Sequence, residues 1–385
     1  MALTNKLPKE TTRVKSERYL ALDVLRGLTV ALMILVNTPG SWSHIYAPFK
    51  HAPWDGFTPT DWVFPSFLFV IGNAMSFSLR KYESISESVF LKKVFKRSIL
   101  IFLIGLFLNA FPFVFRQEGE LVFKNLANIR IMGVLQRIAL CYFFASLILH
   151  YLKLKKSIIF GSIILLGYWA IMWFFGDQPN PLSLEQNAAL KFDQLIFNDE
   201  NLYKGYGLPF DPEGLLSTLP AIVNVIAGYA AGVFIQKSGN NMATVIKLGI
   251  YGVILLAVAQ IWDIWFPINK PIWSSSYVLY STGWTLLVLS VFILIIEILG
   301  QKKWTGFFEA FGKNPLFVFV MSGLVVMLLN VIYVNGQALK PWLYENLYLS
   351  WLNNYNASLL FAVSYMLLMW LLGYFLHKKR IYIKV

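Results

Sequence analysis

Between Asp23 and Asp61 the sequence sets polar side chains able to do chemistry among strongly apolar neighbours. Asp23, Arg26, Val30, Met33 and Asn37 follow steps of three and four, so they share one helix face. Arg26 and Asn37 are then ~16 Å apart along the axis, and one stripe links the two ends of a membrane-length helix. His51 follows in a polar excursion with Trp42, Tyr46, Phe49 and Trp54. An imidazole there exchanges protons near neutral pH, and the aromatics can seat a sugar ring or a pantetheine arm. The competing reading is an interfacial aromatic belt with an incidental histidine. Asp23 and Arg26 likewise read as a pair that snorkels to the headgroups. His44 lacks the surrounding pattern, and His150 and His377 sit at helix ends beside lysines.

Asp61 begins the second apolar segment, and Arg137, with Gln136 beside it, lies in the fourth. Charges at membrane depth are costly unless paired or hydrated, which predicts an Asp61–Arg137 contact. Asp211-Pro212-Glu213-Gly214 precedes the sixth segment, with Asp211 placed as an N-cap and Glu213 complementing the helix dipole. The same two carboxylates can instead bind an amine. Trp273 and Ser275, in Pro271-Ile272-Trp273-Ser274-Ser275-Ser276-Tyr277, divide between a helix cap and hydroxyl donors to a ligand. Lys313 and Asn314 open the ninth segment, where a cation and a helix N-terminus can hold phosphates, topology-setting being the alternative. Neither GxxxxGK[ST], GxGxxG nor HExxH occurs, and no metal site is expected from a chain whose one cysteine is Cys141.

The elements that must carry these residues are transmembrane helices. At 57% hydrophobic and 14% charged residues, with mean hydropathy +0.59, 385 residues cannot cover a soluble globule, so the fold class is an all-α integral membrane protein. Apolar stretches at 19–37, 61–79, 97–115, 131–151, 157–175, 215–236, 245–266, 277–299, 314–333 and 357–376 predict a bundle of ten helices. Lys and Arg concentrate on one side, in 1–18 and around Arg80 and Lys81, Lys92 to Arg97, Lys153 to Lys156, Lys302 and Lys303, and Lys378 to Arg380. That bias places both termini in the cytoplasm, with basic segments at 1–18 and 378–385 flanking one transmembrane domain, 19–377. The net charge of +13 is therefore a topology signal and not a nucleic-acid footprint. Residues 1–18 show no cleavable leader pattern. Loops 38–60 and 176–214 fall outside, and their length is more typical of functional segments than of turns. A transporter or flippase for a glycan precursor also fits buried charges, although no internal repeat supports it.

Taken in order, Leu22-Asp23-Val24-Leu25-Arg26-Gly27, Val36-Asn37, Phe49-Lys50-His51-Ala52-Pro53-Trp54-Asp55-Gly56, Asp61-Trp62-Val63-Phe64-Pro65, Arg130 to Ile138, Asp211 to Gly214, and Asn269-Lys270 with Trp273 to Tyr277 resemble the heparan-alpha-glucosaminide N-acetyltransferase family, from about residue 18 to 335. The likeness is to compact bacterial-type members, without the extra lumenal domain and span of the lysosomal ones. It implies an acetyl-CoA-dependent transferase in the bacterial cytoplasmic membrane, acting on an extracytoplasmic amino sugar or glycan. By the same resemblance His51 is catalytic and Asn37 assists it, and the protein is expected to be a homodimer in the lipid bilayer. It further implies acceptor contacts from Trp54, Asp55, Asp61, Asp211, Glu213, Trp273 and Ser275. Coenzyme contacts are expected from Asp23, Arg26, Gln136 and Arg137, and from Lys313 and Asn314 by their charge and place at a helix start.

Overall fold

The computed structural model describes residues 19–79, 85–117 and 119–383; the basic segment 1–18, Arg80, Lys81 and Lys384 lie outside the described residues. The elements are α1 (Leu20–Asn37), α2 (Pro59–Ser78), α3 (Glu87–Ala110), α4 (Val134–Phe175), α5 (Ala188–Ile196), α6 (Thr218–Ser238) and α7 (Met242–Asp263). After them come α8 (Ser275–Phe292), extended by a π-helical turn, α9 (Thr305–Lys313), α10 (Pro315–Val331), α11 (Leu339–Tyr344) and α12 (Asn354–Lys378). Two short antiparallel ribbons interrupt the helices, Val114–Gln117 with Glu120–Phe123 and Tyr333–Val334 with Gln337–Ala338.

Helix occupies each of the apolar stretches, but not always as a separate rod. α4 runs through two of them over 42 residues, ~63 Å if straight and twice a hydrocarbon core. It is not straight: Lys153 has φ 58 and ψ 167, and Ser157 Oγ donates to the Ile148 carbonyl at 3.1 Å, a contact that only a reversed chain allows. By length and composition, six described helices can cross a membrane, or seven if α9 and α10, bent by 81° at their junction, count as one. This is the make-up of an integral membrane protein, and it sets neither ten crossings nor their orientation.

α1 lies at the centre, against α2, α9 and α12, while α2 packs on α6 and α4 packs on both α3 and α6. Close approach of α2 to α6 depends on paired glycines. A Cβ at Gly72 would collide with the Val225 carbonyl and one at Gly228 with the Phe69 carbonyl, so the backbones touch where these side chains are missing.

Candidate active site

The start of α2 fixes the central carboxylate. Thr58 and Asp61 form a reciprocal capping box with Pro59 at the first helical position, which aligns the Asp61 carboxylate with the helix end. Its Oδ2 accepts from the backbone N–H groups of Ala52 and Thr58, both at 3.0 Å. Four residues on, Pro65 lacks the N–H that would bond the Asp61 carbonyl; the Tyr277 hydroxyl fills that place at 2.7 Å. Asp61, 1% exposed, is thus held from both its side chain and its backbone.

Its remaining oxygen, Oδ1, lies 2.6 Å from His51 Nδ1. This partner assigns the proton to Nδ1 and leaves the lone pair on Nε2, where it faces the Lys270 amine. Lys270 Nζ is 3.1 and 3.2 Å from the two ring nitrogens and 3.9 Å from Asp61 Oδ1. Burial pushes the Lys270 ammonium below the usual lysine range, and Asp61 and Glu213 offset only part of that. The loop bearing His51 is tied down by Gly56 N–H to the Ile268 carbonyl at 2.7 Å and by Asn269 Nδ2 to Asp55 Oδ1 at 3.0 Å.

His51 opens on a cavity of about 280 Å³, called outer only after the side that the lysine and arginine distribution predicts for it, whose lining includes Asn37, Asp61, Arg130, Tyr203, Glu213 and Lys270. Asn37, exposed to that space, makes no side-chain hydrogen bond among the described residues, so its amide is available to a ligand. The opposite wall is a charge cluster: Arg130 grips both oxygens of Asp211 at 2.8 and 2.6 Å and Glu213 Oε2 at 2.6 Å, and its guanidinium lies 4.7 Å from the centre of the Tyr203 ring. Burial alone would push the Glu213 carboxyl up; Arg130, Arg137 and Lys270 outweigh it and hold it below the usual range. The same wall raises Arg130 against its own burial. A cavity with an anchored imidazole, a free amide and an anionic carboxylate can deprotonate a nucleophile, hold an oxyanion and bind an ammonium.

At the other end of α1 an inner cavity of about 360 Å³ is lined by Arg26, Arg97 and Lys313 among apolar groups. Lys313 pairs with Asp23 at 3.0 Å and with Glu309 at 3.7 Å. Arg26 donates to Asp23 and to the Gly312 carbonyl, both at 3.3 Å, and Arg97 lies 4.8 Å over the Tyr142 ring. Among the described residues the lining itself carries these three cations and no carboxylate, which suits phosphate groups. Along α2 and α4 the two linings are one helical turn apart, Phe64 to Phe67 and Val134 to Ile138, a seam that a slender chain can bridge.

Other sequence candidates stand behind these walls. Arg137 does not meet Asp61: it donates to Ser217 Oγ and, at 3.0 Å, to the Gly214 carbonyl, and stacks 4.7 Å over Trp273. The expected pair is replaced by Asp61 with His51 and Lys270, because α4 turns Arg137 toward the loop before α6. Asp211 does not cap a helix at that point. It accepts the Glu213 N–H at 2.9 Å in a turn, and α6 begins only at Thr218. Trp54 donates to the Leu182 carbonyl at 3.1 Å, Trp273 to Asn224 at 3.0 Å and Ser275 to the Leu165 carbonyl at 2.7 Å, so each braces the outer layer. Asn314 binds the backbone at Ile381 and Ile383, at 2.9 and 2.8 Å. Gln136 lines neither cavity but a third space beside Asn37. Lys270 and Arg130 were the residues without an assigned role; the signal was that both fall in segments which the lysine and arginine distribution predicts to be outside, where cations are few.

A family model described as heparan-alpha-glucosaminide N-acetyltransferase, catalytic, matches residues 18–249. That stretch holds Asn37, His51, Asp61, Arg130 and Glu213, with Lys270 beyond it. The chain is 27% identical over 360 residues to a Homo sapiens protein named heparan-alpha-glucosaminide N-acetyltransferase, covering 79% of this chain and 52% of that protein. It is 26% identical over 365 residues to the Mus musculus protein of the same name, covering 81% and 54%. The chain therefore spans about half the length of these curated relatives.

Proposed function

The chain belongs to the heparan-alpha-glucosaminide N-acetyltransferase catalytic family, and from that membership we propose that it moves an acetyl group from cytoplasmic acetyl-CoA to an extracytoplasmic amino sugar in a bacterial inner membrane. One observation carries the proposal: His51, anchored by Asp61 at 2.6 Å, faces the same cavity as Asn37 and Glu213, across one helical turn from a cationic inner cavity. Arg26, Arg97 and Lys313 hold the coenzyme phosphates, and the pantetheine arm follows the seam between α2 and α4 to bring the thioester beside Asn37. Glu213 receives the sugar's ammonium group, which must lose a proton before it attacks.

One proton passes from the ammonium to solvent before attack; His51 Nε2 takes a second from the nitrogen as the C–N bond forms, and the Asn37 amide donates to the carbonyl oxygen as it gains charge. The C–S bond then breaks and the thiolate leaves with the proton returned by His51. Asp61 keeps the ring in the required tautomer throughout. The test is acetyl-CoA turnover by purified protein with glucosamine as trial acceptor. CoA release that needs acceptor and falls ~10²–10⁴-fold in His51→Ala is expected; acetyl-CoA that neither stabilises the protein nor turns over would overturn the assignment.

A further inference from the structure

Beside Asn37 lies a third space of about 190 Å³ that shares Met33, Asn37, Arg130 and Val134 with the outer cavity, so the two chambers meet at the amide. Its own walls come from Leu108 on α3, Leu135 on α4, and Phe319, Gly323, Val326 and Met327 on α10. They are mostly apolar, with Thr38, Asn109, Ser322 and Gln136 as polar exceptions; Asn109 Nδ2 already donates to the Arg130 and Met132 carbonyls and Ser322 Oγ to the Phe319 carbonyl. Gln136 is 1% exposed, and its Nε2 has no hydrogen-bond partner. Gly105 and Gly133 leave room for this amide, since a Cβ at Gly105 would collide with it. A buried amide with unused N–H donors is unfavourable unless a ligand oxygen or water accepts from it.

A thioester carbonyl under attack has four substituents, and on the transferase proposal, on which this inference rests, three have directions. The oxygen points to Asn37, the sulfur leaves along the α2 and α4 seam, and the nucleophile arrives from the outer cavity past Glu213. The fourth is the acyl substituent, and the open space left at Asn37 is the Gln136 chamber. We propose that this chamber receives the acyl group, and that the enzyme accepts short acyl-CoA donors of about four carbons, best with a neutral oxygen near the chain end. At ~30 Å³ per water-sized group, a methyl fills only a small part of it. The oxygen meets Gln136 Nε2 once the amide turns toward the chamber, since that nitrogen is fully buried as it stands. Arg130 borders the chamber too, but its guanidinium is engaged by Asp211 and Glu213, so a chain ending in carboxylate finds no spare cation.

The experiment is a donor panel on the purified full chain with glucosamine: acetyl-, butyryl-, 3-hydroxybutyryl- and succinyl-CoA, read as CoA release. Butyryl-CoA is expected within ~10-fold of acetyl-CoA in kcat/KM, 3-hydroxybutyryl-CoA ~3–10-fold better than butyryl-CoA, and succinyl-CoA ~100-fold worse. In Gly323→Leu the new Cβ meets Leu108 at ordinary contact, 3.6 Å, so the added bulk fills the chamber. The butyryl-to-acetyl ratio should then fall at least ~10-fold. Wild-type turnover of acetyl-CoA with rejection of butyryl-CoA overturns the inference without any variant, as does an unchanged ratio in Gly323→Leu. Failure of every donor, acetyl-CoA included, instead removes the transferase proposal beneath it.

Discussion

Asp61 shows how one side chain can be over-determined. Its carboxylate is held by the capping box and two N–H groups, and its carbonyl by Tyr277, so the 2.6 Å contact to His51 is set by α2 more than by the loop that carries the histidine. Asp61→Asn should preserve that frame yet offer Nδ1 an amide, favouring the wrong tautomer. A kcat loss of ~10³–10⁴-fold, with KM for acetyl-CoA within ~2-fold, is expected; equal damage to both would mark Asp61 as structural only. Asp193, on α5, tests electrostatics at the same scale. Burial raises its carboxyl from 3.8 to about 7 even though the Leu215 and Leu216 N–H groups oppose this. The folded value exceeds the unfolded one, so the native state binds the proton more tightly, and stability present near pH 4 is lost as pH rises toward 7. Thermal melting in detergent should therefore fall between pH 5 and 7.5, and Asp193→Asn should flatten that slope; an equal slope in both proteins would reject the assignment. His51 was marked out by the family resemblance and not by composition, from which an interfacial aromatic belt with an incidental histidine read at least as well. The partner of Asp61 could not be read from the sequence, since spacing along α4 does not say which face Arg137 presents to α2, although Thr58-Pro59-Thr60-Asp61 already carried the capping pattern.

Elements were legible where hydrophobic length decides them and not where loops do. The apolar stretches from 19–37 to 357–376 all contain helix, because a chain in hydrocarbon must satisfy its backbone internally. The start of α6 was misplaced at Asp211 because Asp-Pro-Glu-Gly satisfies every local rule for a helix N-terminus. In the folded protein Arg130 draws both carboxylates into a turn instead, a tertiary demand that local pattern does not contain. Helix pairing was equally hidden. The crossing of α2 on α6 depends on Gly72 and Gly228, and nothing in a single sequence distinguishes these from glycines such as Gly167, whose added Cβ meets no atom within 4 Å. Gly72→Ala forces two backbones apart and should cost ~1–3 kcal/mol, seen as a lower melting temperature and weaker acetyl-CoA turnover. Gly167→Ala should change neither, and a matching loss in both variants would mean that the α2–α6 contact is not what limits stability.

Across the whole molecule, the transferase proposal needs the cationic inner cavity and the His51 cavity on opposite faces of the membrane. The structure sets them at opposite ends of α1, from Arg26 to Asn37; which end meets the cytoplasm is a prediction from the distribution of lysine and arginine. Cys141 is buried, so introduced cysteines can report alone. Asn180, between α4 and α5, and Lys302, just before α9, are both exposed and lie toward the outer and inner cavities respectively by chain position. In intact cells an impermeant maleimide should label Asn180→Cys directly, and Lys302→Cys only after permeabilisation. The reverse pattern would put the outer cavity against cytoplasmic acetyl-CoA and leave the cationic cavity facing a compartment with no supply of it. Labelling of both from outside would mean an even number of crossings between them, and the path from Lys313 to His51 could then no longer cross the bilayer. Only the predicted pattern lets the acyl donor and the amino sugar approach Asn37 from different compartments, which is the condition for transfer across the membrane.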